Sequence, residues 1–289
     1  MVADVPVGVL LSGGVDSSLF VGLLAGEGQK GLATYSIGFE EAYGEKGDEF
    51  SYSDLVAREY ATDHHKIFIP SDEMRANLPQ AIAAMSEPMV SYDNIGFFLL
   101  SREVSKMIKV VQSGQGADEV FGGYHWYPPM QGAADPVAAY MDAFFDRGHD
   151  RMARHLAPEW LAGRDESRAF VEAHFARPGA DDPVKRVDNQ TMAWGLEARV
   201  PFLDHELVEL AGRIPARHKL AQGGKGVLKE AARQVLPADV IDRIALRPVP
   251  GDEQSGHRRR DDRQQLLGHT VDPLRQDDRS RRRAEGDPQ

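Results

Sequence analysis

Val5-Pro6-Val7-Gly8-Val9-Leu10-Leu11-Ser12-Gly13-Gly14-Val15-Asp16-Ser17-Ser18 joins two apolar runs of different period through two glycines, three serines and one carboxylate. Val5 to Leu11 is short, continuous and Val-rich, which predicts a buried strand. Ser17 to Ala25 repeats apolar residues at helical spacing until Gly26 and Gly28 end it. A strand that runs through Gly-Gly directly into a helix points backbone N–H groups at the carboxyl edge of a parallel sheet. The glycines let that backbone approach an anion, and the helix start adds unpaired donors. Ser12, Ser17 and Ser18 add hydroxyls. The loop suits phosphate, yet no Gly-Lys-Ser/Thr follows and no Gly-x-Gly-x-x-Gly is present. Asp16 beside a polyphosphate implies a hard cation between them, Mg²⁺. The same residues also fit a plain strand-to-helix turn capped by Asp16.

Outward from this stretch, strands are predicted at 32–39, 65–69 and 108–111, and helices at 52–62, 79–85 and 96–107. The alternation predicts an α/β fold, a doubly wound parallel sheet covered on both faces. From Asp135 to about Gln234 the pattern turns mostly helical, including 146–175, 187–196 and 207–211. Beyond Arg243 the chain is rich in Arg, Asp and Pro, lacks lysine, and is nearly devoid of apolar clusters. Such composition cannot offset its ordering entropy, so disorder is predicted for 244–289.

The chain carries 34 Lys+Arg against 45 Asp+Glu, a net charge of -11, over 289 residues. That balance argues against nonspecific nucleic-acid binding. The absence of cysteine excludes disulfides, thiolate metal sites and a cysteine nucleophile within this sequence. No run is long enough for a membrane span, and the N-terminus lacks signal-peptide features. A cytoplasmic protein without membrane or nucleic-acid partners is expected.

A second glycine loop strengthens the phosphate reading. Ser113-Gly114-Gln115-Gly116-Ala117-Asp118-Glu119-Val120-Phe121-Gly122-Gly123-Tyr124 again follows a short apolar strand and again offers glycines and acids. Loops after parallel strands gather at one sheet edge, so Asp16 and Asp118 are expected to face one pocket and share a metal. The other reading of Asp118-Glu119 is a solvated helix start.

SGGVDSS resembles the pyrophosphate-binding loop of the ATP pyrophosphatase superfamily, and GQGADEVFGGY resembles the GEGxDExFGGY motif of the asparagine synthetase family. GLEARVPFLDHELVELAGRIP, from Gly195 to Pro215, is similar to that family's ExRxPFLD signature. KGVLKEAARQVLPADVIDR, from Lys225 to Arg243, resembles the element that follows it. The segment from Gly44 to Ile67 looks closest to the N-acetylglutaminylglutamine amide synthetase branch. The resemblance implies an adenine nucleotide alpha hydrolase-like domain over 1–243, with a nucleotide-binding part at 1–134 and a mainly helical part at 135–243.

It further implies ATP-dependent amide synthesis with ATP and Mg²⁺. A carboxylate, aspartate or a glutamine-terminated dipeptide, attacks the α-phosphorus and releases pyrophosphate; ammonia then displaces AMP. Leu11, Ser12, Gly13, Gly14, Asp16, Ser17 and Ser18 match the pyrophosphate loop. Ser36, Ile37 and Gly38 match the adenine-contacting position, and Ser113 and Gly114 the ribose and α-phosphate edge. Asp16 and Asp118 are the implied metal ligands. Arg199 and Asp204, around Val200 to Leu203, read as a buried ion pair with capping. His64 and His65 read as surface residues. Trp126-Tyr127-Pro128-Pro129 fits either a substrate pocket or core packing.

Three departures from the family pattern stand out. The cysteine-led glutaminase domain is not in this sequence, so free ammonia or a separate glutaminase subunit is expected as the nitrogen source. Gln115 replaces a glutamate proposed to assist proton transfer, and a neutral amide cannot act as acid or base. The family's lysine in RPKxGF, just beyond the position of Arg243, has no counterpart. Arg247 is one substitute in charge, although its planar fork differs from an ammonium; Lys225 and Lys229 are others. A shifted reading frame near Arg243 would explain both the missing lysine and the aberrant tail. The competing expectations are a tRNA-modifying or NAD-synthesising relative, and an inactive MgATP-binding remnant.

Overall fold

The computed structural model describes residues 3–41, 47–86, 93–144, 181–238 and 240–241. All of them fall in the compact unit Met1–Ala245. The predicted helices within 146–175, the tail 244–289 and Arg247 lie outside the described residues.

Five parallel strands form one sheet in the order β3-β2-β1-β4-β5. They are β1 (Val7–Leu10), β2 (Ala33–Phe39), β3 (Asp63–Ile69), β4 (Val110–Gln112) and β5 (Glu197–Arg199). Between and after them come α1 (Val15–Gly26), α2 (Phe50–Glu59), α3 (Ser71–Ala83), α4 (Asp93–Val104), α5 (Ala117–Phe121), α6 (Pro136–Phe144), α7 (Asp181–Met192), α8 (His205–Gly212), α9 (Ala216–Lys219) and α10 (Gly226–Ala232).

The run Val9-Leu10-Leu11 shows why this sheet is buried on both faces. Val9 and Leu11 join Leu19, Phe20 and Val21 of α1 in one cluster that also takes in Phe121, Phe202 and Leu228. Leu10 points the other way, into a cluster with Tyr35, Leu100 and Val104. Side chains alternate along a strand, so a continuous apolar run is what a strand covered on both faces requires. Gly8 is needed for close approach: a Cβ there would meet the Tyr35 ring at 2.7 Å.

Strand order reverses at β1. The chain steps from β1 outward to β2 and β3, then returns to lay β4 on the opposite side of β1, in register Val7 to Val110 and Val9 to Gln112. A crevice opens beyond the carboxyl ends of strands at such a reversal. The two glycine loops leave from adjacent strands at this point.

Several boundaries differ from the sequence expectation. α3 begins at Ser71, eight residues before Pro79, which sits inside it. Proline removes one backbone donor, a loss this helix tolerates. β5 was not anticipated, because three residues are too few to show a period. His64 is not a surface residue: its side chain is 8% exposed. It bonds Thr34 Oγ1 at 2.8 Å and Ser53 Oγ at 3.2 Å, and burial holds its pKa below the usual imidazole value. The expected ion pair between Arg199 and Asp204 is not formed; Arg199 pairs with Glu197 at 2.7 Å. Asp204 does cap α8, accepting from the Glu206 amide at 3.0 Å. Phe202, between them, is buried against Phe20 with ring centroids 4.7 Å apart.

Candidate active site

The first loop begins where Leu11, 1% exposed, donates its amide to Tyr35 O at 2.8 Å. Gly13 then takes φ +80, and a Cβ there would lie 2.6 Å from both Ser53 N and Tyr52 Cβ at the start of α2. The Gly14 amide donates to Ser12 Oγ at 3.2 Å, and Ser12 Oγ and Ser17 Oγ lie 3.2 Å apart. Gly14 is the N-cap of α1, whose first turn contains Asp16. Ser18 is buried, and its hydroxyl has no partner among the described residues. The plain-turn reading makes Asp16 the cap, but Gly14 is the cap and Asp16 stands inside the helix, where its carboxylate pairs with Lys225.

Ser36 turns its hydroxyl inward and donates to Leu11 O, so β2 braces the start of the loop. Ile37 packs beside the second apolar cluster, and Gly38 lies beneath Phe50 and Asp48, where a Cβ would clash with both. At the position matched to adenine contact, the Ser36 hydroxyl hydrogen is thus committed within the fold.

The second loop is held by Ser113, whose amide donates to Arg199 O at 2.8 Å. Gly114 closes on the first loop: a Cβ there would stand 3.2 Å from Asp16 Cβ and 3.3 Å from Ser17 N. Gln115 is partly buried. Gly116, at φ +92, caps α5 and leaves room for Leu203 of the PFL turn. The two loops are thus in contact, with Asp16 and Asp118 on one side of the crevice floor.

Lys225 joins them. Its Nζ lies 2.6 Å from Asp16 Oδ2 and 2.7 Å from Asp118 Oδ1, with the lysine side chain only 14% exposed. Burial works to lower its pKa, but the two carboxylates outweigh that and hold it above the usual lysine value. Burial pushes Asp16 upward against the attraction of Lys225, and Asp118 and Glu119 add to the rise. Asp16 Oδ1 has no partner among the described residues. Lys225 reaches this place from a loop in which Gln222, Gly223, Gly224 and Lys225 have φ of 56, 75, 107 and 55. Lys229, the other lysine weighed from sequence, donates to Gln222 O at 2.8 Å and braces that loop. The family-position substitute Arg247 falls outside the described residues.

Beside the carboxylates, Tyr124 donates to Glu119 Oε1 at 2.6 Å, while Glu119 Oε2 is buried with no partner among the described residues. Burial raises the Glu119 pKa and the Tyr124 bond opposes it. Burial, with the nearby Glu119 charge, also raises Tyr124 and Tyr127. Tyr124 stacks on Trp126 with centroids 4.3 Å apart. Sequence reasoning weighed Glu119 only as part of a solvated helix start and gave Tyr124 no role; their signal was the second acid of the loop and the aromatic run that follows it. It gave Lys225 a minor place, although a lysine set in Gly-Gly-Lys-Gly was itself a sign of a tightly built loop.

A metal fits this set in part. Two carboxylates converge and one of their oxygens is buried with no partner among the described residues, while no group of three or more His, Asp or Glu placed to hold a metal ion is found there. Two protein carboxylates, completed by phosphate and water oxygens, is a common arrangement for Mg²⁺. No helix among the described residues is long and apolar enough to cross a membrane.

Comparison with known proteins places the sequence in a family. The family described as asparagine synthase matches residues 1–284. The glutamine-hydrolysing asparagine synthetase 3 of Bacillus subtilis (strain 168) is 28% identical over 282 residues, covering 84% of this chain and 45% of its own. The glutamine-hydrolysing asparagine synthetase 1 of the same organism is 30% identical over 310 residues, covering 86% and 47%. Asparagine synthetase B of Escherichia coli (strain K12), also glutamine-hydrolysing, is 29% identical over 259 residues, covering 83% and 40%. The chain spans less than half the length of these relatives. With both glycine loops built at one sheet edge and the family match running through nearly the whole sequence, the chain belongs to the asparagine synthase family.

Proposed function

We propose that this chain performs the amide-forming half-reaction of an ATP-dependent carbon–nitrogen ligase. A carboxylate, aspartate or a glutamine-terminated dipeptide, attacks the α-phosphorus of ATP, and pyrophosphate leaves. Ammonia then attacks the acyl carbon and AMP departs. Free ammonia or a glutaminase partner supplies the nitrogen, and the reaction belongs to the cytoplasm. One observation carries the reading: Asp16 and Asp118, from two different glycine loops, lie within 2.7 Å of the same Lys225 ammonium at the reversal point of the sheet.

The loop amides of Gly13 and Gly14 and the hydroxyls of Ser12, Ser17 and Ser18 seat the departing pyrophosphate and stabilise its growing charge. Asp16 and Asp118 hold Mg²⁺, which supplies Lewis acidity and orients the phosphates when bound. Lys225 provides the positive charge at the α-phosphate that the missing RPKxGF lysine was expected to give, which favours an active enzyme over an inactive remnant. Ser113 and Gly114 line the ribose and α-phosphate side. The Glu119–Tyr124 pair and Trp126 border the acceptor side. Gln115 stands where the family motif has a glutamate and positions by hydrogen bonding without moving a proton.

Pyrophosphate release is the test. Protein, MgATP and ammonium are incubated with aspartate or with a glutamine-terminated dipeptide. Release that requires one acceptor supports the proposal and names the substrate; tight ATP binding without release from any acceptor refutes it.

A further inference from the structure

The position of Lys225 Nζ raises a conflict with the metal that the same carboxylates are read to hold. Nζ lies 2.6 Å from Asp16 Oδ2 and 2.7 Å from Asp118 Oδ1. Magnesium binds oxygen at about 2.1 Å, so an ion ligated by both atoms would stand within about 4 Å of Nζ on either side of the line joining them. Two cations that close, in a site from which water is largely excluded, repel strongly. The lysine stem has little sideways freedom, because a Cβ at Gly123 would collide with both Lys225 Cε and Asp118 Oδ1. Lys225 is a non-glycine residue at φ 55, and it follows Gly223 and Gly224, which are also at positive φ. A residue other than glycine in this region carries conformational strain, which a change of the loop would relieve.

We propose that the Lys225 ammonium and a divalent cation are alternative occupants of the Asp16–Asp118 pair, so that cation binding displaces Lys225 from the carboxylates toward the phosphate side of the crevice. The lysine is the resident counter-charge that keeps two buried carboxylates compatible with the fold. Its release by the metal delivers a positive charge to the site only when the metal is loaded. Gln222 to Gly224 are the hinge, and Lys229, bonded to Gln222 O, anchors its far side. The inference rests on Asp16 and Asp118 being the metal ligands, as proposed above.

The test uses the full chain with Mn²⁺ alone, ATP absent, and reads free Mn²⁺ by electron paramagnetic resonance. Lys225→Met removes the competing charge while keeping a similar stem. The variant is expected to bind Mn²⁺ at least about tenfold more tightly than the parent, by removal of the like-charge conflict. Equal or weaker binding overturns the exchange, as does no Mn²⁺ binding by either protein; the amide-forming reading stands or falls separately, on pyrophosphate release. Should Lys225→Met fail to fold, acetylation of the parent followed by mass spectrometry decides the matter. Saturating Mn²⁺ is expected to raise the modification of Lys225 relative to Lys219 several-fold, and an unchanged ratio overturns the exchange.

Discussion

Replacing Gly13 by alanine tests whether α2 lies against the first glycine loop, and Gly28→Ala supplies the internal control. Both glycines hold φ near +80, at +80 and +85. A Cβ at Gly28 meets nothing within 4 Å, whereas one at Gly13 would stand 2.6 Å from Ser53 N and from Tyr52 Cβ. The left-handed backbone costs an alanine about 1–2 kcal/mol. The stiffer unfolded chain returns about 0.4–1 kcal/mol of that. Gly28→Ala is therefore expected to destabilise by about 1 kcal/mol, the balance of those two effects. Gly13→Ala carries the same balance and an overpacking cost of about 1–3 kcal/mol, because one contact is with backbone that cannot rotate away. The total is about 2–4 kcal/mol. Relief of the contact moves loop amides by roughly an ångström, enough to lower kcat/KM for MgATP by about 10²-fold. Urea unfolding of both variants at constant m-value measures the first quantity, and pyrophosphate release the second. If Gly13→Ala unfolds within about 0.5 kcal/mol of Gly28→Ala, well below the expected overpacking cost, the packing of α2 on this loop is refuted.

Asp16→Asn leaves Lys225 paired with Asp118 alone. The stability loss should stay below the roughly 3–5 kcal/mol typical of orphaning a buried charge, while MgATP binding measured by calorimetry falls at least tenfold; unchanged affinity would falsify the metal assignment. His64 is buried with its pKa below the usual 6.5, so the stability it supports is present above that value and lost as pH falls through the depressed pKa. Melting temperature should accordingly drop between pH 7 and 5 in the parent, and the drop should flatten in His64→Gln; identical profiles would count against a buried neutral imidazole. Tyr124→Phe removes the bond that restrains Glu119, so the Glu119 pKa followed by carboxylate NMR should move higher still; a downward shift contradicts the pairing. Gln115→Glu should accelerate the ammonia-dependent step by up to about 10²-fold with pyrophosphate release unaltered, if a proton acceptor is what this position lacks. No change in amide formation would show that proton transfer is met elsewhere.

Much of the fold was legible because the decisive signals are local. Val5 to Leu11 read as a buried strand; the structure keeps Val7–Leu10 of it, sends Val9 and Leu11 to one cluster and Leu10 to the other, and leaves Val5 exposed. Three-residue β5 carried no such pattern. His64 looked like one of two exposed imidazoles, since nothing local reveals that Thr34, Ser53 and Ser36 close around it from β2 and α2. The Arg199–Asp204 pair was inferred from proximity in sequence, but Arg199 ends a strand while Asp204 begins a helix, and each finds a nearer partner.

The sequence by itself determined the two glycine loops, the alternation that makes a parallel sheet, and the family, because glycine placement, apolar period and motif spacing are properties of neighbouring residues. Only the tertiary structure decided that Lys225, more than a hundred residues beyond Asp118, is the cation standing between the two acids. Strand order and a left-handed loop fixed that meeting, and long-range packing leaves no periodic trace in the chain from which it could be read.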